Sequence, residues 1–299
     1  MLHPREILST LDMLRHEHLD VRTVTLGVNL FDCARHDPAG ACRAIRAKIL
    51  GKAENLVAVC DEVGGKYGIP VVNKRIAVSP VAAVAAPLGA DGMRAVARTL
   101  DETAEEVRID FIGGFSALVE KGIASGDDAL ITALPRVLAE TRRVCASVNV
   151  ASTRAGINMG AVLRMAETIR SAAEMTADRD GLACAKLCVF ANIPQDVPFM
   201  AGAYLGIGEP GAVVNVGVSG PGVVKKAIDR ALSARPDMDL GQISELIKRT
   251  AYKVTRVGEL IGREVADRLK IDFGVVDLSL APTLTWATRW ARSSRASGS

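Results

Sequence analysis

Aromatic side chains are scarce in this chain: they make up 4% of the 299 residues, with two tryptophans, three tyrosines and six phenylalanines. A core of ordinary size must then be built from Ala, Val, Ile and Leu, the composition of buried parallel strands flanked by helices. Histidine is scarcer still, and its four copies all precede residue 37. His16 and His18 stand two apart, so they do not share a helical face, and no second ligand cluster follows them. No metal site is expected. Cysteine stops at Cys188, with six in all and no adjacent pair. Cys184 and Cys188 are read as core thiols rather than ligands, because no third or fourth ligand stands nearby.

Charge of one sign is lacking too. The formal net charge is +3, and Arg289, Arg292 and Arg295 account for it within the last stretch. A neutral body leaves no nucleic-acid footprint. There is no long apolar run: the least polar stretch, Ile76 to Ala90, contains Pro80 and Pro87 and is too short to span a bilayer. The beginning, MLHPREIL, carries charge where a signal peptide needs its apolar core, and thiols without a disulfide pattern fit a reducing cytoplasm. Neither the dinucleotide fingerprint G-x-G-x-x-G at the main glycine-rich turn nor a G-x-x-x-x-G-K-[ST] phosphate loop is present. The identity of any cofactor is left open.

What is there begins with residues 211 to 232, GAVVNVGVSGPGVVKKAIDRAL. A β-branched run stops at Ser219-Gly220-Pro221-Gly222 and an amphipathic helical pattern starts at once. The unpaired N–H groups of the helix's first turn could receive a phosphate or carboxylate. The same glycines serve equally well just to turn the chain.

Six further strands alternate with helices, at 21–30, 69–78, 109–115, 144–150, 185–190 and 273–280. Helices are expected at 4–18, 38–63, 91–107, 130–142, 157–176 and 240–269. The strand exits share one composition of Asn, Ser, Thr and Gly, as in α/β folds that bind ligands where parallel strands end. Candidate binding residues are Asn73, Lys74, Arg75, Ser116, Asn149, Ser152, Asn192, Asn215, Ser219, Gly220 and Gly222. Glu209 and Asp277 are the candidate general acid or base.

The segments LDVRTVTLGVNLFDC, GIPVVNKRIAVSP, DFIGGFSALVEKG, SVNVASTRAGINM, PFMAGAYLGIGEPGAVVNVGVSGPGVVK and FGVVDLSLAPT are similar to the "PFL family" of bacteria and archaea, domain of unknown function 711 or UPF 0210. They cover nearly all of residues 1 to 283. The resemblance implies a β/α barrel of the pyruvate formate-lyase-like kind and leaves the reaction open. Glycyl-radical chemistry is not expected, because that chemistry needs a barrel cysteine nucleophile and a C-terminal radical glycine. Members of the family continue beyond the point where this chain stops, so the barrel is expected to be incomplete. Residues 284–299 lack helical or strand periodicity and read as a frameshifted tail, since another frame can spell DVGDSVGAVLEGLGV, which has a helical period.

The expected function is therefore a cytoplasmic pocket protein for a small anionic metabolite, a phosphate or carboxylate. It is either an enzyme or a non-catalytic metabolite sensor. No nucleic-acid or membrane partner is expected, and self-association into a homo-oligomer is.

Overall fold

The computed structural model describes residues 20–195 and 200–280. The expected helix at 4–18, its two histidines and the tail from residue 284 lie outside them. The described strands are β1 Val21–Val28, β2 Val71–Val78, β3 Phe111–Leu118, β4 Val144–Ser152, β5 Gly156–Ile157, β6 Leu187–Ala191, β7 Ala212–Ser219 and β8 Asp272–Ser279. The helices are α1 Pro38–Ala53, α2 Leu56–Tyr67, α3 Val81–Val84, α4 Gly89–Glu106, α5 Ser125–Glu140, α6 Met159–Met175, α7 Pro221–Ala234 and α8 Leu240–Leu269.

Local chemistry explains the boundaries. Asp37 caps α1 through Ala39 N and Gly40 N, with Pro38 at the first helical position. The expected single helix over 38–63 is two, broken after Ala53, and the second ends at Gly68 in the left-handed region rather than at Gly64. Asp239 and Gln242 form a reciprocal capping box at the start of α8.

The strands make one mixed sheet in the order β4-β3-β2-β1-β7-β8, with β5 and β6 also pairing with β4. Hydrogen bonds do not close it among the described residues. β1, β2, β3, β4 and β6 are parallel, but β7 lies antiparallel to β1, and β8 follows β7. This corrects the expectation that all seven strand exits meet. Five finish at one end of the sheet, and β7 and β8 finish at the other. The cause lies in the connection: no helix occurs in the described residues between β6 and β7, so nothing carries the chain back before it re-enters the sheet.

Alternation sorts the side chains by face. Val24, Leu26, Val28, Ile76, Val78, Ile112, Val144, Val148, Val214, Val216 and Val218 join helix residues in the hydrophobic core. Gly258 and Gly262 of α8 pack close enough that an added Cβ would meet Val218 Cγ1 at 2.6 Å and Val216 Cγ2 at 2.6 Å respectively. Thr23, Thr25, Asn73, Arg75, Ser116, Ser147, Asn149 and Asn215 occupy the opposite face.

Candidate functional site

The polar face begins with in-register rows. Asn73, Thr23, Gly217 and Asp277 lie in one row across β2, β1, β7 and β8; Arg75, Thr25 and Asn215 lie in the next, with Phe111 beside Arg75. Asn73 Nδ2 donates to Arg22 O at 3.0 Å. The Arg75 guanidinium stacks over the Phe111 ring at 5.4 Å, and burial pulls its pKa below the usual arginine value. Lys74, one residue out of step, points to the helices and pairs with Asp61 of α2 at 2.8 Å. The triplet 73–75 is thus split: Asn73 and Arg75 belong to the polar face and Lys74 does not.

Nearer the exits of the five parallel strands, Ser116 and Ser147 share a buried hydroxyl pair at 2.7 Å. Residues 200–206 pass over this part of the face, with Leu205 N donating to Val78 O at 2.9 Å. Gly113 makes the passage possible, because a Cβ there would stand 2.4 Å from Ala203 O. At the exits themselves Asn149 Nδ2 donates to Glu120 Oε2 at 3.0 Å, and Asn149 Oδ1 accepts from Ile193 N at 3.4 Å. Asn158 caps α6 through Ala161 N and donates to Val119 O at 2.7 Å. Tyr204 is buried beside this group. Burial, with a smaller push from the Glu120 charge, drives its phenol up to about 12, so it stays protonated and can donate.

Glu120 and Tyr204 were not among the expected residues. A signal existed, since Tyr204 is one of only three tyrosines and stands in an otherwise small, apolar run. Other expected residues have local structural partners: Ser152 Oγ accepts from Ala155 N at 3.0 Å, and Asn192 Oδ1 accepts from Thr153 N at 2.6 Å. Asn215 Oδ1 accepts from Val275 N at 2.9 Å, holding β8 against β7.

The chain belongs to the DUF711 family. The family described as "Uncharacterised ACR (DUF711)" matches residues 12–292. The UPF0210 protein of Syntrophobacter fumaroxidans is 69% identical over 283 residues, which is 95% of this chain and 62% of that protein. Those of Desulfovibrio desulfuricans and Methanococcoides burtonii are 67% and 56% identical over the same shares of each chain. This chain thus spans less than two thirds of the length of the curated relatives that it matches.

Within this family member the remaining expected residues lie at both ends of the sheet. Ser219, Gly220 and Gly222 form the β7–α7 turn at the end where the parallel strands begin, and Asp277 is near it. Gly220 N donates to Ser279 O at 3.0 Å, so one N–H of the turn is already engaged. Glu209 precedes β7 at the opposite end, where Asn29 N donates to Gly211 O at 3.1 Å. From Ala212 to Gly217, the partner of Asp277, the strand runs five residues, or ~17 Å. Glu209 and Asp277 therefore lie towards opposite ends of β7.

Cys145 is not poised for nucleophilic work. Burial outweighs the pull of Lys186 and Arg75 and holds Cys145 up at about 11. Cys184 precedes β6 and Cys188 lies within it, so the two do not share a strand face. No described helix is long and apolar enough to cross a membrane.

Proposed function

We propose that this chain binds a small anionic metabolite on the polar face of its sheet, with Arg75 as the charge partner and Asn73 and Thr25 beside it. The supporting observation is the segregation itself: one face joins the hydrophobic core, while the other collects hydroxyls, amides and a guanidinium on neighbouring strands. An arginine fork suits a carboxylate or phosphate. The polar face is read as the inside of a pyruvate formate-lyase-like barrel in the cytoplasm. Two features support that reading: β6 and β8 each pair on one side only among the described strands, and the relatives are longer. Exposed Ile157, Met159 and Leu163, each about two thirds accessible, would favour self-association.

The enzymatic form of this reading moves the acid–base role from Glu209 and Asp277 to Glu120, which accepts from Asn149 Nδ2 at 3.0 Å and whose charge reaches Tyr204. A non-catalytic sensor is the second form. It draws support from the length of β3, which separates the Arg75 row at Phe111 from Leu118, beside Glu120, by seven residues or ~23 Å. A ligand held by Arg75 would have to be long to touch Glu120.

The deciding experiment screens carboxylic and phosphorylated metabolites by thermal shift and native mass spectrometry, using wild type, Arg75→Met and Glu120→Gln. Loss of binding in Arg75→Met is expected. Turnover that disappears in Glu120→Gln would select the enzyme, and binding unaffected by Arg75→Met would refute the site.

A further inference from the structure

A second concentration of positive charge lies where β3 and β4 begin, close to the Arg75 row at Phe111. The helix α4 finishes at Glu106, Val107 follows as its cap, and Arg108 then takes the left-handed conformation with φ 59°. Its N–H donates to Glu105 O at 3.1 Å, and the next, Ile109 N, donates to Ala104 O at 3.1 Å. Asp110 then joins β2 through both main chain and side chain, Asp110 N to Lys74 O at 2.9 Å and Lys74 N to Asp110 Oδ2 at 2.8 Å. After α5, the N–H groups of Arg142 and Arg143 both donate to the carboxylate of Asp101, at 3.0 Å and 2.6 Å.

Two turns pinned in this way face each other across a cavity of about 450 Å³ lined by Glu105, Arg108, Ile109, Asp110, Arg142 and Arg143. That is the size of a small-molecule site. Three positive charges stand against two negative ones. Arg143 Nη1 is buried without a hydrogen bond, although it lies 3.5 Å from Glu105 Oε1. Among the described residues no carboxylate pairs with the side chains of Arg108 or Arg142.

We propose that this cavity is an oxyanion site, occupied by inorganic phosphate or the phosphate group of a metabolite. Guanidinium forks match phosphate oxygens in geometry as well as charge, and the buried Nη1 of Arg143 has a hydrogen bond to give. Cations also gather at helix C-termini to complement the dipole, and Lys270 supplies the internal control for that role. It holds the same left-handed position after α8, with φ 55°, and does not line this cavity. Arg75 does not line this cavity, so titrating Arg75→Met beside Arg108→Gly separates this site from the one proposed at Arg75.

Phosphate and pyrophosphate would be titrated by calorimetry and thermal shift at constant ionic strength, with sodium chloride as the reference. The variants are Arg108→Gly, Arg142→Gln, Lys270→Gly and Arg75→Met. Arg108→Gly removes the charge while relieving the left-handed strain, so the protein folds at least as well without ligand. Saturable binding is expected in wild type, weakened tenfold or more by Arg108→Gly and by Arg142→Gln and unchanged in Lys270→Gly; any binding lost in Arg75→Met is a separate event that Arg108→Gly leaves intact. Equal affinity across all variants, an effect that chloride reproduces, or loss in Arg75→Met alone would overturn the assignment.

Discussion

On β1, Leu26 is fully buried among the helices, whereas Thr23 and Thr25, out of step with it, face the other way and share a hydroxyl contact at 3.1 Å. The same contrast runs across the neighbouring strands: valines and isoleucines on one face, and Asn73, Arg75, Ser116, Ser147, Asn149 and Asn215 on the other. Both faces are largely closed to water, since Ser116, Ser147 and Asn149 are at most 5% accessible. The difference shows that burial here serves two ends. One face contributes the hydrophobic term that drives folding, and the other keeps polar groups dry and oriented, where electrostatic interactions are stronger.

Truncating the apolar face should have the largest effect. Leu26→Ala is expected to cost about 2–5 kcal/mol in urea unfolding, from lost transfer energy and the cavity left behind. A loss below 1 kcal/mol would break the comparison, because β1 would then not be the centre of the core. Gly113→Ala comes next, at about 1–3 kcal/mol: the added methyl meets two main-chain oxygens, Ala203 O at 2.4 Å and Ala201 O at 2.6 Å. Neither can swing aside as a side chain would. Proteolysis should then cut within 200–206 sooner than in wild type, and unchanged cutting would show that this segment is not seated on Gly113.

Ser116→Ala should cost about 1 kcal/mol by stranding the Ser147 hydroxyl. The double variant Ser116→Ala, Ser147→Ala should cost less than the sum of the two single changes. Strict additivity would show that the two hydroxyls do not depend on each other.

A smaller effect concerns the join between α2 and α8. Glu264 accepts from Tyr67 Oη at 2.5 Å, from Lys66 Nζ at 2.9 Å and from Arg268 Nη2 at 2.7 Å. The Tyr67 hydrogen bond, followed by that from Lys66, lowers its carboxyl from 4.5 to about 2. The folded-state pKa is depressed, so the stabilisation is present in full above pH 4.5 and is lost as pH falls towards 2. Glu264→Gln should flatten the stability profile across that window, and parallel wild-type and variant profiles would contradict the linkage. The smallest change is expected for Gly222→Asp in the absence of ligand, below ~0.5 kcal/mol. Gly222 is not among the residues with positive φ, and a Cβ there meets nothing within 4 Å. A larger loss would mean that the β7–α7 turn has a structural role that open space does not explain.

Much of this fold is legible in the residues because its signals are local. The period of 3.6, the Asp239 cap and the reciprocal Gln242 place α8 at 240–269, and the stop at Ser219 followed by Pro221 places the β7–α7 junction. Period two already implies that Asn73 and Arg75 share a face that Lys74 leaves, although it does not say which face is polar. Strand direction is different in kind. A run such as AVVNVGV pairs equally well in either sense, and the choice falls to the 192–211 connection and to the long-range pairing with β1. The Glu120, Asn149 and Tyr204 group likewise spans 84 residues of chain, from 120 to 204, and meets only because β3 and β4 pair and residues 200–206 return across them. Local propensity thus determined the elements and their polar exits. Non-local hydrogen bonding decided which of those exits became neighbours, because pairing depends on main-chain groups that every residue carries.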